Sequence, residues 1–425
     1  MLNQLVRLPG PTGAAAKTIR GPEPSIRQSV QIFLSLIAVC ALALFSGQAH
    51  GENQQSPKIK FVNVADSTQG LSDFSQFPAI NHRGAVAFLA TQDGVGQEVI
   101  QWNRRNLTTI ASTTDPRFAL FTDDLVINSS GVVGFRAILT SGRRAAGIFT
   151  GDGLNIQTIV NSTDDGLSGP SLGAPSINAS GTVAFQAARS GLASTIIFTG
   201  NGGPLTSVLD IVNSNFTTFG AVAINARGEI VFHASQKDRS EGVFLTTPHA
   251  DATGNGTSTG PAAVIDIIDS NHTEFFQFGD PVINDAGVVA DSAGGGLSLE
   301  IFSGNGKGIT ARNDPTNRPF IDVEHPSING HGAVAFSTFQ ADGGQAIFVE
   351  VTGGASPVAI LQTGDPLFGS KVTVVSVGRF AFNDRFQLAF QYELENGVSG
   401  IAVAKLQSDG EGKQESSENE ESGWE

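Results

Sequence analysis

The sequence predicts an all-β fold: a seven-bladed β-propeller of four-stranded blades, with the ring closed by the N-terminal strand. Three observations carry this. One short phrase returns seven times, four apolar runs fill each period, and an unpaired strand precedes the first copy while the last copy lacks its fourth.

The phrase is clearest as "PAINHRGAVAF" from residue 78, "PSINASGTVAF" from 175 and "PSINGHGAVAF" from 326. Aligned on the Asn of "IN", the copies fall at Asn81, Asn128, Asn178, Asn225, Asn284, Asn329 and Asn383, with intervals of 47, 50, 47, 59, 45 and 54 residues. In six copies a Gly follows three residues later, at 84, 131, 181, 228, 287 and 332. An Asn side chain can hydrogen-bond the backbone ahead of it, and Gly accepts the left-handed conformation that ends such a turn, so each copy reads as a β-hairpin.

Each hairpin supplies the first and second strands. A third run ends in Phe at 149, 198, 244, 302 and 348, and a fourth follows as "LTTIA" from 107, "IQTIV" from 156, "LTSVLDIV" from 205 and "AAVIDII" from 262. Glycine-rich "GDG" and "GNG" between third and fourth strands read as tight turns. Two residues before each Asn stand Ala79, Val126, Ser176, Ala223, Val282, Ser327 and Ala381, all small, as the crowded innermost strand requires. Seven residues after it come Phe88, Phe135, Phe185, Phe232, Phe336 and Phe390, sized for the wider space between blades. The fifth copy puts Asp291 there. A buried carboxylate is costly, so Asp291 is expected to be solvated in a widened gap of a locally decayed blade, or paired with a cation.

The seventh copy runs from "FAFNDRFQLAFQ" to "GIAVA" with no clear fourth strand, and "KIKFVNVAD" at 58–66 stands alone before the first copy. That strand is expected to complete the seventh blade, since closure removes exposed edges. The domain boundaries follow: a signal peptide at 1–49, a linker at 50–57, the propeller at 58–405 and an acidic tail at 406–425. The signal reading rests on four basic residues, an apolar run from Ile32 to Phe45, and small residues before a cut after Ala49. Cleavage would remove Cys40, the sole cysteine, and leave 21 basic against 39 acidic groups, a net charge of −18. A secreted or periplasmic location follows, with no membrane span after cleavage and a monomer as the expected state.

The pattern P-x-I-N-x-x-G-x-V-A-F resembles that of an uncharacterised family of secreted bacterial proteins with tandem repeats, over roughly residues 60–404. The resemblance implies a propeller-like fold and export. It defines no catalytic residue.

Chemistry is sparse. There is no P-loop, HExxH, GxSxG or DxDxDG loop. The net charge of −15 argues against nucleic acid, which needs clustered Lys and Arg. No cofactor is expected; "NSTDDG" from 161 is an acidic segment that could take calcium, without regular ligand spacing. The candidate site is the face formed by the connections into each first strand and from second to third strands, because loops on a rigid scaffold carry function. Four residues before the Asn, Asp124, Asp280, His325 and Arg379 are placed to line the axial mouth, beside Phe77, Ala174 and Ala221 at the equivalent positions. Two function classes remain. One is an exported binding or scaffold module holding a protein or small-molecule partner on this face; the alternative is an extracellular hydrolase or lyase on the same scaffold.

Overall fold

The computed structural model describes residues 58–407, except 143, 192–193, 248–262, 272, 296–298, 312–319, 341–342 and 352–356. The expected signal peptide, linker and most of the acidic tail lie outside the described residues. Seven antiparallel sheets of four or five strands follow one another along the chain. Blade 3 shows the plan: inner strand Ser176–Ile177, then Val183–Ala188, Thr195–Gly200 and Thr206–Asp210 outward, each paired with the next.

The inner hairpin forms as its residues dictate. In all seven copies the Asn Oδ1 accepts the backbone N–H two and four residues ahead, as from Ser180 (3.1 Å) and Thr182 (3.0 Å) to Asn178. The Gly ending each turn is left-handed, with φ from 78° to 92°. In the seventh copy Phe386 takes that conformation at φ 52°.

The same seven side chains do something the sequence does not announce. Each Nδ2 donates to the backbone carbonyl of the Asn in the next blade: Asn81 to Asn128, on through Asn178, Asn225, Asn284 and Asn329 to Asn383, and from Asn383 back to Asn81, at 2.9–3.4 Å. Seven buried asparagines therefore form a closed hydrogen-bonded ring around the axis. Each such bond adds about 1 kcal/mol net, and the donors would be costly to bury without acceptors.

Apolar cores lie between blades. Seven clusters each combine residues of two neighbouring blades, the last joining blade 7 to blade 1. The six phenylalanines of the second strands are wholly buried. Four of them pack on the Phe opposite in the third strand, three stacked and Phe232 tilted, with centroids 5.7–5.9 Å apart. The small inner-strand residues are buried as expected. Two of the serines also bridge blades, Ser176 Oγ accepting from Ile224 N and Ser327 Oγ from Ala381 N and Phe382 N.

Closure is as the sequence predicts. Lys58–Asp66 pairs antiparallel with Ser399–Gln407, from Lys58 opposite Gln407 to Asp66 opposite Gly400, as the outermost strand of blade 7. The propeller thus reaches Gln407, two residues beyond the expected boundary.

Candidate functional site

The inner strands of blades 1, 2 and 5 are each interrupted. In blade 2, Phe118–Phe121 and Val126–Ile127 pair with the same second strand, and the chain between them carries Asp123 and Asp124. In blade 5 the break between Gln277–Phe278 and Val282–Ile283 carries Asp280. Blade 6 keeps a continuous strand but shifts register between Glu324 and Ser327, where His325 adopts φ 51°. Arg379 follows the inner strand Ser370–Ser376 of blade 7, and Phe77 lies in the corresponding break of blade 1. In each of these blades the residue four before the Asn borders the axial recess.

These residues meet. Asp124, Asp280, His325 and Arg379 line one recess, about 470 Å³ when the solvent at its open mouth is included, together with Phe77 and Ala174. Of the seven equivalent positions only Ala221 is not in its wall. Phe77 packs on the His325 imidazole at 4.4 Å between centroids. Arg379 reaches across the axis from blade 7, its guanidinium donating to Val222 O of blade 4 (3.1 Å) and Pro281 O of blade 5 (2.6 Å). It is therefore less a free cation than a strut, with a buried Nε that finds no acceptor.

The sequence reading missed further wall residues, Asp123 and Phe380 among them. Asp123 accepts Gln76 N through Oδ2 at 3.1 Å, while its buried Oδ1 has no partner; burial pushes its carboxyl up, opposed by that hydrogen bond and reinforced by Asp124. Both acids of the Asp123–Asp124 pair line the recess, not Asp124 alone. Phe380 stands three before the Asn, where four copies have Pro, and only the seventh has an aromatic. It packs against the cores of three inter-blade gaps and touches both this recess and a second, of about 890 Å³, at the asparagine end of the axis. Phe380 and Arg379 plug the channel between the two.

Asp291 departs from expectation. It is neither solvated nor ion-paired: it is fully buried in the gap between blades 4 and 5, opposite Phe302. Oδ1 accepts Ser292 N at 2.7 Å and Oδ2 has no partner. The blade has not opened around it, because its second and third strands pair regularly over six residues. Instead the backbone closes in at Gly279, where a Cβ would lie 2.8 Å from Asp291 Oδ1. Burial pushes this carboxyl well above its usual range; Asp280 adds to the effect and Arg379 opposes it.

In the "NSTDDG" segment, Asp165 accepts Asn161 N and Asp164 accepts Asn161 Nδ2, so both acids help to fold the turn. Among the described residues no group of three His, Cys, Asp or Glu side chains is placed to hold a metal ion. None of the described helices is long and apolar enough to cross a membrane.

A family model matches residues 62–407, almost the whole ring. The chain belongs to the DUF7453 family, a family of unknown function. No curated protein matches it. Among solved structures it is similar to a prolyl endopeptidase, at 12% identity and a TM-score of 0.52, covering 79% of this chain and 47% of that one. Prolyl oligopeptidase B from Galerina marginata matches at 8% identity and 0.51, covering 79% and 49%. This chain spans about half the length of those structures, and at such identity the likeness is one of fold.

Proposed function

We propose that this DUF7453 protein is an exported binding module that holds its partner on the loop face, at the recess around the axis. One observation carries the reading: six of the seven blades contribute the same position of the repeat to the wall of one cavity. A rigid ring that spends its inner strands on such a cavity has the geometry of a recognition site. Its wall combines carboxylates, an imidazole, a guanidinium and apolar side chains, the mixture by which a concave site orients a ligand.

Alanine at Asp124, Asp280, His325 and Arg379 tests this by pull-down from the extracellular fraction. Capture by the native protein should be lost in the quadruple variant; retained capture would move the site elsewhere. A hydrolase or lyase on the same scaffold would draw on the same carboxylates and His325, because no described residue of the recess wall carries a hydroxyl or thiol. Turnover in a screen of ester, peptide and glycan substrates would favour that alternative.

A further inference from the structure

The recess has a sign. Asp123 and Asp124 enter it from blade 2 and Asp280 from blade 5, three carboxyls against the single guanidinium of Arg379, whose N–H groups are donated to two backbone carbonyls. Asp123 brings a buried oxygen without a donor. Phe77, half-buried against His325, offers an aromatic ring to the same space.

A second and independent feature lies behind Asp280. Asp291 is wholly buried against Gly279, the residue before Asp280, and its Oδ2 has no partner. Six other blades put an aromatic at this position. An unsatisfied buried carboxyl costs stability, and such groups persist where they serve a site. His233, across the same gap and also within the field of Asp280, has a buried Nε2 without a hydrogen bond, 4.0 Å from Glu241. Orphaned polar atoms thus gather behind the Asp280 corner, buried outside the wall of the recess itself.

We infer that the recess receives a protonated nitrogen, an ammonium or guanidinium group, seated between Asp123 and Asp124 on one side and the Asp280 corner on the other. This rests on the loop-face binding reading and names the chemistry that face selects. The carboxylates supply charge-assisted acceptors and Phe77 a π-face, the combination that distinguishes an organic cation from a neutral molecule of equal size. Arg379 holds the floor and excludes a ligand long enough to thread the channel.

Two sources carry such a group: a free small amine, and an Arg side chain of a peptide. Agmatine and the tripeptide Gly-Arg-Gly represent them, with glutarate as a dianion of comparable length. Titration of each into the purified protein, followed by calorimetry at low and moderate salt, makes the test. Agmatine, the tripeptide or both should bind saturably, and more weakly at the higher salt. The affinity should fall by about tenfold in D280N and further in D123N/D124N/D280N. Each variant is first shown to melt as the native protein does. Tighter binding of the tripeptide would assign the site to peptide side chains, and of agmatine to free amines. Absence of saturable binding by both cations, unchanged affinity in the variants, or preferential binding of glutarate would overturn the inference. Partner capture that depends on the recess while neither cation binds would likewise overturn it, and leave the binding-module reading standing.

Discussion

At the scale of single residues, Asp291 is the position where fold and site pull apart. Its carboxyl sits where six blades bury phenylalanine, and a single hydrogen bond, from Ser292 N, only partly offsets the loss of its hydration. Asp291→Leu is therefore expected to stabilise the protein by about 1–3 kcal/mol near neutral pH. The pH dependence has a definite sign. Because burial raises the folded-state pKa above the unfolded one, the protonated acid is compatible with folding below about pH 4, and that stability is lost as pH rises toward the folded value. The advantage of the Leu variant should consequently grow between about pH 4 and pH 7 in thermal melts. A constant difference would mean that Asp291 does not titrate differently on folding. The sequence showed that this residue broke the pattern and pointed into a gap between blades. It could not show that Gly279 would bring the backbone in to close that gap.

A second residue-scale effect lies at the junction of blades 7 and 1, where His82 Nδ1 meets Asp384 at 3.0 Å. The Asp384 partner raises the His82 pKa and His82 lowers that of Asp384. The pair contributes fully below the unfolded histidine value and fades as pH rises through the folded His82 value. It fades again as pH falls through the lowered Asp384 value. Both side chains are well exposed, so the contribution is below about 1 kcal/mol. His82→Ala should cost a small amount of stability near pH 5.5 and almost nothing near pH 9, by denaturant titration. An equal cost at both would assign the effect to packing.

At the scale of elements, the hairpin was legible and the ring was not. Asn-x-x-Gly between apolar runs dictates a turn, and the positive φ at six glycines follows from it. The Nδ2 atoms, however, find their acceptors 45 to 59 residues away, or 302 across the closure, and no local pattern states that. The asparagine thus serves two levels at once, shaping its own turn through Oδ1 and tying the next blade through Nδ2. Asn329→Ala would leave His331 N and Ala333 N without their acceptor and remove a donor from Asn383 O. The expected loss is about 2–4 kcal/mol, read by chemical denaturation. A loss comparable with that of an exposed polar residue would mean that water replaces the ring. The recess shows the same division: size and charge at one repeated position pointed to the axial mouth, whereas Asp123 and Phe380 depended on how each inner strand breaks.

At the scale of the whole molecule, seven similar blades leave only one place where the chain can be sealed. Sequence arithmetic found that place, because the surplus strand at one end matched the deficit at the other. The structure adds how many ties converge there. Lys58–Asp66 runs the length of Ser399–Gln407, Tyr392 donates its hydroxyl to Asn63 Oδ1 at 3.3 Å, Ile80 N bonds Phe380 O, and Asn383 completes the asparagine ring. A propeller without its closing strand exposes the Ser399–Gln407 edge and the core between blades 7 and 1, to which Val64 and Ala65 contribute. The closed ring also holds the recess in register, since Phe77 belongs to blade 1 and Arg379 to blade 7. Deletion of residues 58–66, with thermal melting of the purified protein, is the most direct test. Closure by this strand predicts loss of the cooperative transition, or a fall in Tm well beyond that of any single substitution above. Melting at the native temperature would contradict it and show that the seventh blade is sealed in another way.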